Sequence, residues 1–232
     1  MFHPGIGGVF LNPFYFARKG LAGHIKQLSK HIVGKTLDVG CGTKPYAHLF
    51  TSKEYIGLEI DSVANRKEKK ADCYYDGSVF PFADGSFDSA VANEVFEHVF
   101  DPDRFLNEVS RVLRSGGVLL MTMPFVWDEH EQPYDYARYS SFGIRSILQR
   151  HGFEILEQRK SMDDIRVFFQ LLNMYLYKRT LTRNRWLNAM LVAILMAPLN
   201  VLGELCALIT PRNPDLYLDN VVLARKLQAG VS

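Results

Sequence analysis

Two glycines and a carboxylate carry the strongest chemical signal in this chain. Residues 36–46 read Thr-Leu-Asp-Val-Gly-Cys-Gly-Thr-Lys-Pro-Tyr, so a short apolar strand runs into a Gly-x-Gly turn at Gly40 and Gly42. Glycine lets the backbone turn sharply and brings bare amide groups against a ligand. The pattern predicts a pocket for a nucleotide-type cofactor, in which a side chain at either glycine would occupy the space of the ligand.

A second apolar run ends in the acidic residue that such a pocket requires. Residues 55–61 read Tyr-Ile-Gly-Leu-Glu-Ile-Asp, and Glu59 follows Gly42 by 17 positions. A carboxylate at the end of a second strand accepts two hydrogen bonds from a ribose diol better than a neutral amide does. The alternative is a buried strand with a solvated glutamate at its edge.

The third glycine position separates two classes of cofactor. A dinucleotide fingerprint reads Gly-x-Gly-x-x-Gly, and its last glycine permits close packing of a helix beneath a pyrophosphate. Pro45 occupies that position here. We therefore rank a nicotinamide-dependent oxidoreductase second.

Further motifs follow the turn in a fixed order. The chain reads DCYYDGSVFPFADGSFDSAVANEVFEHV from residue 72 and DPDRFLNEVSRVLRSGGVLLM from residue 101. Together with the glycine turn, these stretches resemble the class I S-adenosylmethionine-dependent methyltransferases, specifically the methyltransferase type 11 group, over residues 36–159. The resemblance implies that S-adenosylmethionine is the cofactor and that methyl transfer is the reaction.

The resemblance also assigns residues to the cofactor pocket. These are Asp38, Gly40, Cys41, Gly42, Glu59, Ile60, Asp76, Gly77, Asn93 and Glu94. By analogy with the family, the glycine turn cradles the methionine portion and Glu59 accepts hydrogen bonds from the ribose. Asp76 falls near the adenine amino group, while Asn93 and Glu94 lie at the pocket floor.

The order of elements predicts an α/β fold, a doubly wound Rossmann-like sheet of seven strands. Most strands should be parallel and the last antiparallel, with an apolar helical insertion before it. We predict strands at 36–40, 55–59, 71–75, 87–92, 117–123, 153–159 and 216–226. Ser141 is the expected cap of a helix before the sixth strand, and residues 62–70 should form a loop or a short helix.

Four segments follow from this order. We predict an N-terminal helical cap at 1–34, an S-adenosylmethionine-binding core at 35–160, the insertion at 161–215, and the final strand and tail at 216–232. Within the insertion, residues 186–209 contain a single charge, Glu204. Length admits a membrane span. Packing on the domain, a homodimer contact and peripheral membrane association through 161–215 stay open beside it.

Composition limits the class of protein. The chain has 232 residues, of which 47% are hydrophobic and 22% charged, enough for a full core. Its formal charge of +2 does not argue for a nucleic-acid partner. Three cysteines form neither a metal spacing nor an even disulfide set, which predicts a reducing, cytoplasmic compartment and no metal site. The first 20 residues do not read as a secretory signal.

The methyl acceptor is expected beside residues 124–139, which are dense in aromatic and ionisable side chains. This stretch resembles type 11 enzymes that look like products of surface-polysaccharide gene clusters, so we predict O-methylation of a small-molecule or glycan-like acceptor. His130 is the first candidate for the base that takes the hydroxyl proton, and His98 is the second. Each could instead be a structural histidine, and Asp135 and Arg138 could form an internal ion pair. A non-catalytic membrane or assembly module is the third functional hypothesis.

Overall fold

The computed structural model describes residues 4–5 and 7–228, so parts of the predicted cap (1–3 and 6) and tail (229–232) lie outside the described residues. The helices are α1 Gly8–Leu11, α2 Tyr15–Leu28, α3 Val63–Glu68, α4 Pro102–Val112, α5 Ser141–Arg150, α6 Arg166–Thr180, α7 Arg185–Leu191 and α8 Ala197–Ala207. The strands are β1 Val33–Val39, β2 Thr51–Ile60, β3 Cys73–Tyr75, β4 Phe87–Asn93, β5 Leu113–Pro124, β6 Phe153–Ser161 and β7 Asp219–Lys226.

The seven strands form one sheet in the order β3-β2-β1-β4-β5-β7-β6. The pairs from β3 through β5 are parallel. Leu218 N donates to Ser161 O (2.9 Å), whereas Leu227 N donates to Gly152 O (2.8 Å). The start of β7 therefore pairs with the end of β6, and the end of β7 pairs with the start of β6. The two strands run antiparallel. The predicted fold class is confirmed.

Local signals explain how two of the helices begin. Asp101 Oδ1 accepts a hydrogen bond from Arg104 N (3.0 Å) and caps α4, whose first residue is Pro102. The cap of α5 is Ser140, whose Oγ accepts from Gly143 N (3.2 Å), so the expected cap at Ser141 is wrong by one position. Residues 62–70 contain the short helix α3, as one of the two expected forms for that stretch.

The chain divides into two compact units. One unit comprises the described residues up to Gly23 together with Lys160–Asp219, and the other comprises His24–Arg159 with the described residues from Asn220. The second unit contains the carboxyl ends of β1 to β5, where the predicted site residues lie. The division into four segments stays a prediction.

The first unit is built around one long apolar helix. The helices α7 and α8 are joined by a π-helical segment, Val192–Met196. Among the described residues, the resulting helix Arg185–Ala207 is long and apolar enough to cross a membrane, and 28% of its most apolar 18-residue window is buried. On its buried side, Asn200 Oδ1 accepts from Asn173 Nδ2 (2.8 Å). Glu204, the one charge within residues 186–209, pairs with Lys19 and Arg166.

Candidate functional site

The glycine turn follows β1 and is held to the end of β2 by backbone hydrogen bonds. Gly40 N and Cys41 N both donate to Leu58 O, at 2.9 and 3.2 Å. Gly40 (φ +66°) and Gly42 (φ +51°) are in the left-handed region, which favours glycine.

The two glycines have different surroundings. A Cβ on Gly42 would have no described heavy atom within 4 Å, so this residue borders open space. A Cβ on Gly40 would lie 2.5 Å from Cγ2 of Val95. The expectation that both glycines leave room for a ligand therefore needs correction, because Gly40 makes room for the chain that follows β4.

Glu59 holds the turn in place. Its Oε2 accepts from Gly42 N (3.1 Å), and its Oε1 accepts from Ile60 N (3.2 Å). Each carboxylate oxygen can accept a further bond. The Ile60 side chain is largely exposed at the strand end. This places an anionic acceptor beside the open space at Gly42, as the ribose role requires.

Asp38 lies buried under the turn. Its Oδ2 accepts from the Tyr55 hydroxyl (2.7 Å), and burial raises its pKa to about 7. Tyr55 was missed from the sequence, since its partner lies on the neighbouring strand. Cys41 is also buried, which raises the pKa of its thiol to about 12, and its Sγ packs beside Gly57 of β2. Cys41 therefore supports the turn from below.

Asp76 and Gly77 directly follow β3. Asp76 Oδ1 accepts from Ser78 N (2.9 Å) and from the Ser78 hydroxyl, and these bonds hold the pKa of Asp76 below its ordinary value. Gly77 has φ +85°, and the space where a Cβ would stand holds no described atom within 4 Å. The carboxylate is exposed and oriented by its own loop.

Asn93 and Glu94 end β4 at the same edge of the sheet. Glu94 has φ +54°, and its N donates to both O and Oγ1 of Thr122, at 3.0 and 3.1 Å. Asn93 Oδ1 and Glu94 Oε1 are buried and have no hydrogen-bond partner among the described residues. Burial raises the pKa of Glu94 to about 7. A left-handed, non-glycine backbone with orphaned polar atoms is typical of functional positions.

A three-residue cluster follows at Glu97, His98 and His130. Glu97 is fully buried, and neither of its carboxylate oxygens has a hydrogen-bond partner in the described part of the chain. Its Oε1 lies 3.6 Å from Nε2 of His98 and 3.8 Å from Nε2 of His130. Burial raises the pKa of Glu97 well above its ordinary value. The sequence signal for Glu97 was a charge inside the apolar run Val-Phe-Glu-His-Val.

A hydrogen bond at Nδ1 orients each of the two imidazoles. Nδ1 of His98 lies 2.8 Å from Tyr134 O, and Nδ1 of His130 lies 3.2 Å from Asp128 O. Because a carbonyl oxygen only accepts, each Nδ1 carries the proton in the neutral ring. Nε2 then has the free lone pair in both rings, and these are the nitrogens that lie near Oε1 of Glu97. The structure brings the two predicted histidines together, with ring centroids 4.8 Å apart.

The loop after β5 is tied to this cluster. The carbonyl oxygen of Glu97 accepts from Tyr136 N (2.9 Å) and Ala137 N (3.2 Å). Arg138 binds both carboxylate oxygens of Asp135, at 2.6 and 2.7 Å, and this bond lowers the pKa of Asp135 to about 2. Of the two roles considered for this pair, the structure contains the internal ion pair, which fixes the loop.

Comparison with known proteins points to one family. Residues 37–121 match the family described as Methyltransferase domain. An uncharacterized methyltransferase of Mycobacterium sp. (strain KMS) is 39% identical over 107 residues, which is 40% of either chain. An O-methyltransferase of Aspergillus nomiae is 27% identical over 147 residues, or 53% of this chain and 65% of that protein. The chain thus matches less than two thirds of the length of these curated relatives.

Solved structures show the same fold over most of the chain. A phosphoethanolamine N-methyltransferase of Haemonchus contortus, in complex with S-adenosylhomocysteine, superposes with a TM-score of 0.57 and 20% identity. That alignment covers 96% of this chain and 56% of the other. The [4+2]-cyclase SpnF gives a TM-score of 0.56 at 22% identity, covering 92% and 82%. Because one of these proteins is a cyclase, the shared fold alone does not specify the reaction.

Proposed function

Since this chain carries a class I S-adenosylmethionine-dependent methyltransferase domain, we propose that it transfers a methyl group to an oxygen of a small-molecule or glycan-like acceptor. The observation that carries the proposal is the Glu59 carboxylate bound to Gly42 N beside open space. That arrangement joins an anionic ribose acceptor to a bare backbone turn, which is what a nucleoside cofactor requires.

The described residues fit S-adenosylmethionine, which when bound supplies an electrophilic methyl group on a sulfonium. Glu59 would bind the ribose hydroxyls, and Asp76 would lie near the adenine amino group. Gly42 and Gly77 leave room for the ligand, since a Cβ at either would enter open space. We assign the methionine portion to the turn above Asp38. Most of the catalytic work is then positioning of donor and acceptor.

On the acceptor side, we assign the hydroxyl proton to the Nε2 lone pairs of His130 and His98. Exposed aromatic rings nearby support a sugar-like acceptor, because aromatic faces pack against flat apolar surfaces. Phe100 and Tyr136 lie with ring centroids 5.2 Å apart, and Tyr134 is exposed beside them. The O-methyltransferase relative supports oxygen as the acceptor atom. A link to cell-surface polysaccharide synthesis belongs to the same proposal.

Titration calorimetry and a transfer assay test this function. We expect S-adenosylhomocysteine to bind and NADH not to bind, which separates the methyltransferase from the nicotinamide-dependent alternative. Labelled S-adenosylmethionine is then incubated with delipidated cell-surface polysaccharide and, separately, with small hydroxylated molecules. Cofactor binding without transfer to any acceptor would favour the non-catalytic module.

We further propose that the long helix of the first unit lies on a membrane surface, with the enzyme on the cytoplasmic side. The large exposed apolar residues of this helix and of the two positions after it are Trp186, Leu187, Met190, Ile194, Leu195, Val201, Leu202, Leu205, Leu208 and Ile209. Lys178, Arg179, Arg183 and Arg185 precede this face and would meet anionic head groups.

Flotation with vesicles containing phosphatidylglycerol tests the membrane contact. We expect Leu205→Glu and Leu208→Glu to reduce vesicle binding, since each puts a charge on the exposed apolar face. Phe142→Glu is the matched control, because Phe142 is 80% exposed on α5 of the other unit. Light scattering separates the alternative: a wild-type dimer that the same two variants dissociate, without vesicle binding, would assign the face to a second copy of the chain.

A further inference from the structure

We propose that Glu97, His98 and His130 bind a divalent transition-metal ion. Its remaining coordination positions would hold an oxygen of the methyl acceptor, and this second part rests on the proposed function. The ligand set is one carboxylate and two imidazoles, supplied by the turn after β4 and the loop after β5. The sequence-based expectation of no metal site rested on the spacing of the cysteines. It does not concern a site made of one carboxylate and two imidazoles.

The spacing of the three ligand atoms suits one ion. One ligand atom from each of Glu97, His98 and His130 lies within 4.8 Å of the other two. Ligands at bond lengths of about 2.0–2.1 Å around a tetrahedral ion are about 3.3 Å apart. The distances of 3.6 and 3.8 Å from Oε1 to Nε2 of His98 and His130 therefore need to shorten by a few tenths of an ångström, and the widest separation in the cluster, up to 4.8 Å, needs to shorten by more, so the side chains close around the ion when it binds.

The hydrogen bonds behind the cluster are those of metal-binding histidines. Such histidines bind the ion through one nitrogen and donate the other N–H to a carbonyl or carboxylate. Nδ1 of His98 faces Tyr134 O, and Nδ1 of His130 faces Asp128 O with Asp135 Oδ2 at 3.3 Å. The two rings are thereby fixed with Nε2 inward. A ligand-binding tautomer is present at both positions.

The carboxylate supplies a second, independent observation. Glu97 is fully buried, and both of its oxygens are without a hydrogen-bond partner among the described residues. Glu94 Oε1, on the same turn, is likewise buried and unpartnered within the described part of the chain. Buried carboxylates are normally paired or bound to a metal. A cation at the cluster would satisfy Glu97 and lie close to Glu94.

The chemistry of the donors selects the kind of ion. Imidazole nitrogens suit Zn²⁺, Fe²⁺ and their first-row neighbours, whereas Mg²⁺ and Ca²⁺ prefer oxygen ligands. Three protein ligands leave at least one position open, as in catalytic rather than structural sites. The side chains of His98 and His130 are 18% and 30% exposed, so the ion and the acceptor can reach the cluster from solvent.

The cluster also lies next to the cofactor cradle. Val95, two residues before Glu97, is the side chain that fills the space beside Gly40. An acceptor oxygen held at the cluster would thus be close to the glycine turn. In this arrangement the two Nε2 lone pairs bind the ion rather than the hydroxyl proton. The ion would lower the pKa of the acceptor hydroxyl, and the hydroxyl proton would pass to solvent water.

Metal titration of the chelator-stripped full chain tests the proposal without any methyl acceptor. We expect Zn²⁺ to bind with one equivalent per chain and more tightly than Mg²⁺, and Co²⁺ to give a visible spectrum that Zn²⁺ abolishes. Glu97→Gln should weaken Zn²⁺ binding by more than about tenfold. Glu131→Gln is the control, because Glu131 is an exposed glutamate next to His130 on the loop after β5.

A measurement on the wild type avoids dependence on folding of the variant. Zn²⁺ should shift the ¹⁵N resonances of Nε2 in His98 and His130 and leave those of His151 unchanged. Absence of a one-equivalent site in the wild type, or equal Zn²⁺ affinity of the folded Glu97→Gln variant, would overturn the inference. S-adenosylhomocysteine affinity, measured in the same samples, separates the two proposals. Normal S-adenosylhomocysteine binding with no metal site would overturn only the metal proposal. Metal binding without S-adenosylhomocysteine binding would overturn only the proposed function.

Discussion

The candidate site has two parts that hold their carboxylates in opposite ways. We call them the cofactor edge, which comprises the glycine turn with Asp38 and Glu59, and the acceptor edge, which comprises Glu94 and Glu97 after β4. At the cofactor edge, Asp38 accepts from Tyr55, and Glu59 accepts from the backbone of the glycine turn. At the acceptor edge, Glu94 Oε1 and both oxygens of Glu97 have no hydrogen-bond partner among the described residues. The first edge is complete as it stands, whereas the second leaves buried acceptors for something else to bind.

The difference follows from how each edge is built. The carboxylates of the cofactor edge are held by neighbouring strands and by a tight turn, so contacts within the sheet satisfy them. The acceptor edge is covered by a long loop whose own ion pair, Asp135 with Arg138, uses the nearest guanidinium. Arg138 therefore makes its carboxylate hydrogen bonds with Asp135, and it acts on Glu97 only through its charge. The carboxylates of the cofactor pocket are thus preorganised, whereas those of the acceptor pocket lack hydrogen-bond partners. This difference is consistent with a cofactor that is always the same molecule and an acceptor that differs between related enzymes.

The largest expected effect comes from Gly40→Val, which breaks the cofactor edge. Valine at φ +66° is strained, and its Cβ would lie 2.5 Å from Val95. We expect S-adenosylhomocysteine affinity to fall by more than about 100-fold, or about 2.7 kcal/mol, and the melting temperature to fall as well. Calorimetric titration and thermal unfolding measure the two effects.

Gly42→Ala is the comparison variant for this experiment. It carries the same kind of backbone strain at φ +51°, but its Cβ would enter open space. We expect it to lose cofactor affinity with a smaller loss of stability, since only the left-handed backbone costs about 1–2 kcal/mol. Normal cofactor binding by Gly40→Val would show that the turn is structural and remove the basis of the site.

Sequence reasoning reached the features that are local in the chain. The glycine turn, the cap at Asp101 and the ends of β1 to β4 depend on residues a few positions apart, and the mostly parallel sheet of seven strands followed from the order of elements along the chain. The contacts of Tyr55, Val95 and Glu97 depend on which strands and loops are neighbours in space. The carbonyl oxygen of Glu97 in particular accepts hydrogen bonds from Tyr136 and Ala137 of a distant loop, a contact that no local pattern specifies.

The pH dependence of stability should have opposite signs at the two edges. Burial raises the pKa of Asp38 to about 7 from 3.8, so the folded chain binds a proton that the unfolded chain has released between these values. The contribution of Asp38 to the free energy of unfolding is therefore full below about pH 3.8 and is lost as the pH rises to about 7. Arg138 lowers the pKa of Asp135 to about 2, so its contribution is full above about pH 3.8 and lost as the pH falls to about 2.

Urea unfolding of the cofactor-free chain between pH 2 and 8 tests these signs. The difference in unfolding free energy between wild type and Asp38→Asn should change by a few kcal/mol between pH 4 and 7. The corresponding difference for Asp135→Asn should change only below pH 4. A pH-independent difference for Asp38→Asn would mean that its carboxyl group is solvated rather than buried.

Glu59→Ala should weaken the cofactor edge without unfolding it. The variant removes an anionic acceptor at a strand end rather than core volume, so we expect a loss of about 1.5–3 kcal/mol in S-adenosylhomocysteine binding. Asp61→Ala is the matched control, since Asp61 is on the same strand end but pairs with Arg66 on the surface. Equal affinity of the Glu59 variant and the wild type would remove Glu59 from the pocket.

The smallest effect is expected at Asp76, where the cofactor edge is most open to solvent. Its carboxylate is exposed and already accepts two hydrogen bonds from Ser78, so its bond to an adenine amino group would compete with water. We expect Asp76→Ala to weaken S-adenosylhomocysteine binding by less than Glu59→Ala does. Asp84→Ala serves as control, because Asp84 follows on the same connection and pairs with Arg111. Since Asp76 is charged and adenine is neutral, the loss should change little with salt, whereas a strongly salt-dependent loss would mean that Asp76 acts through the cationic methionine portion or sulfonium of the ligand instead.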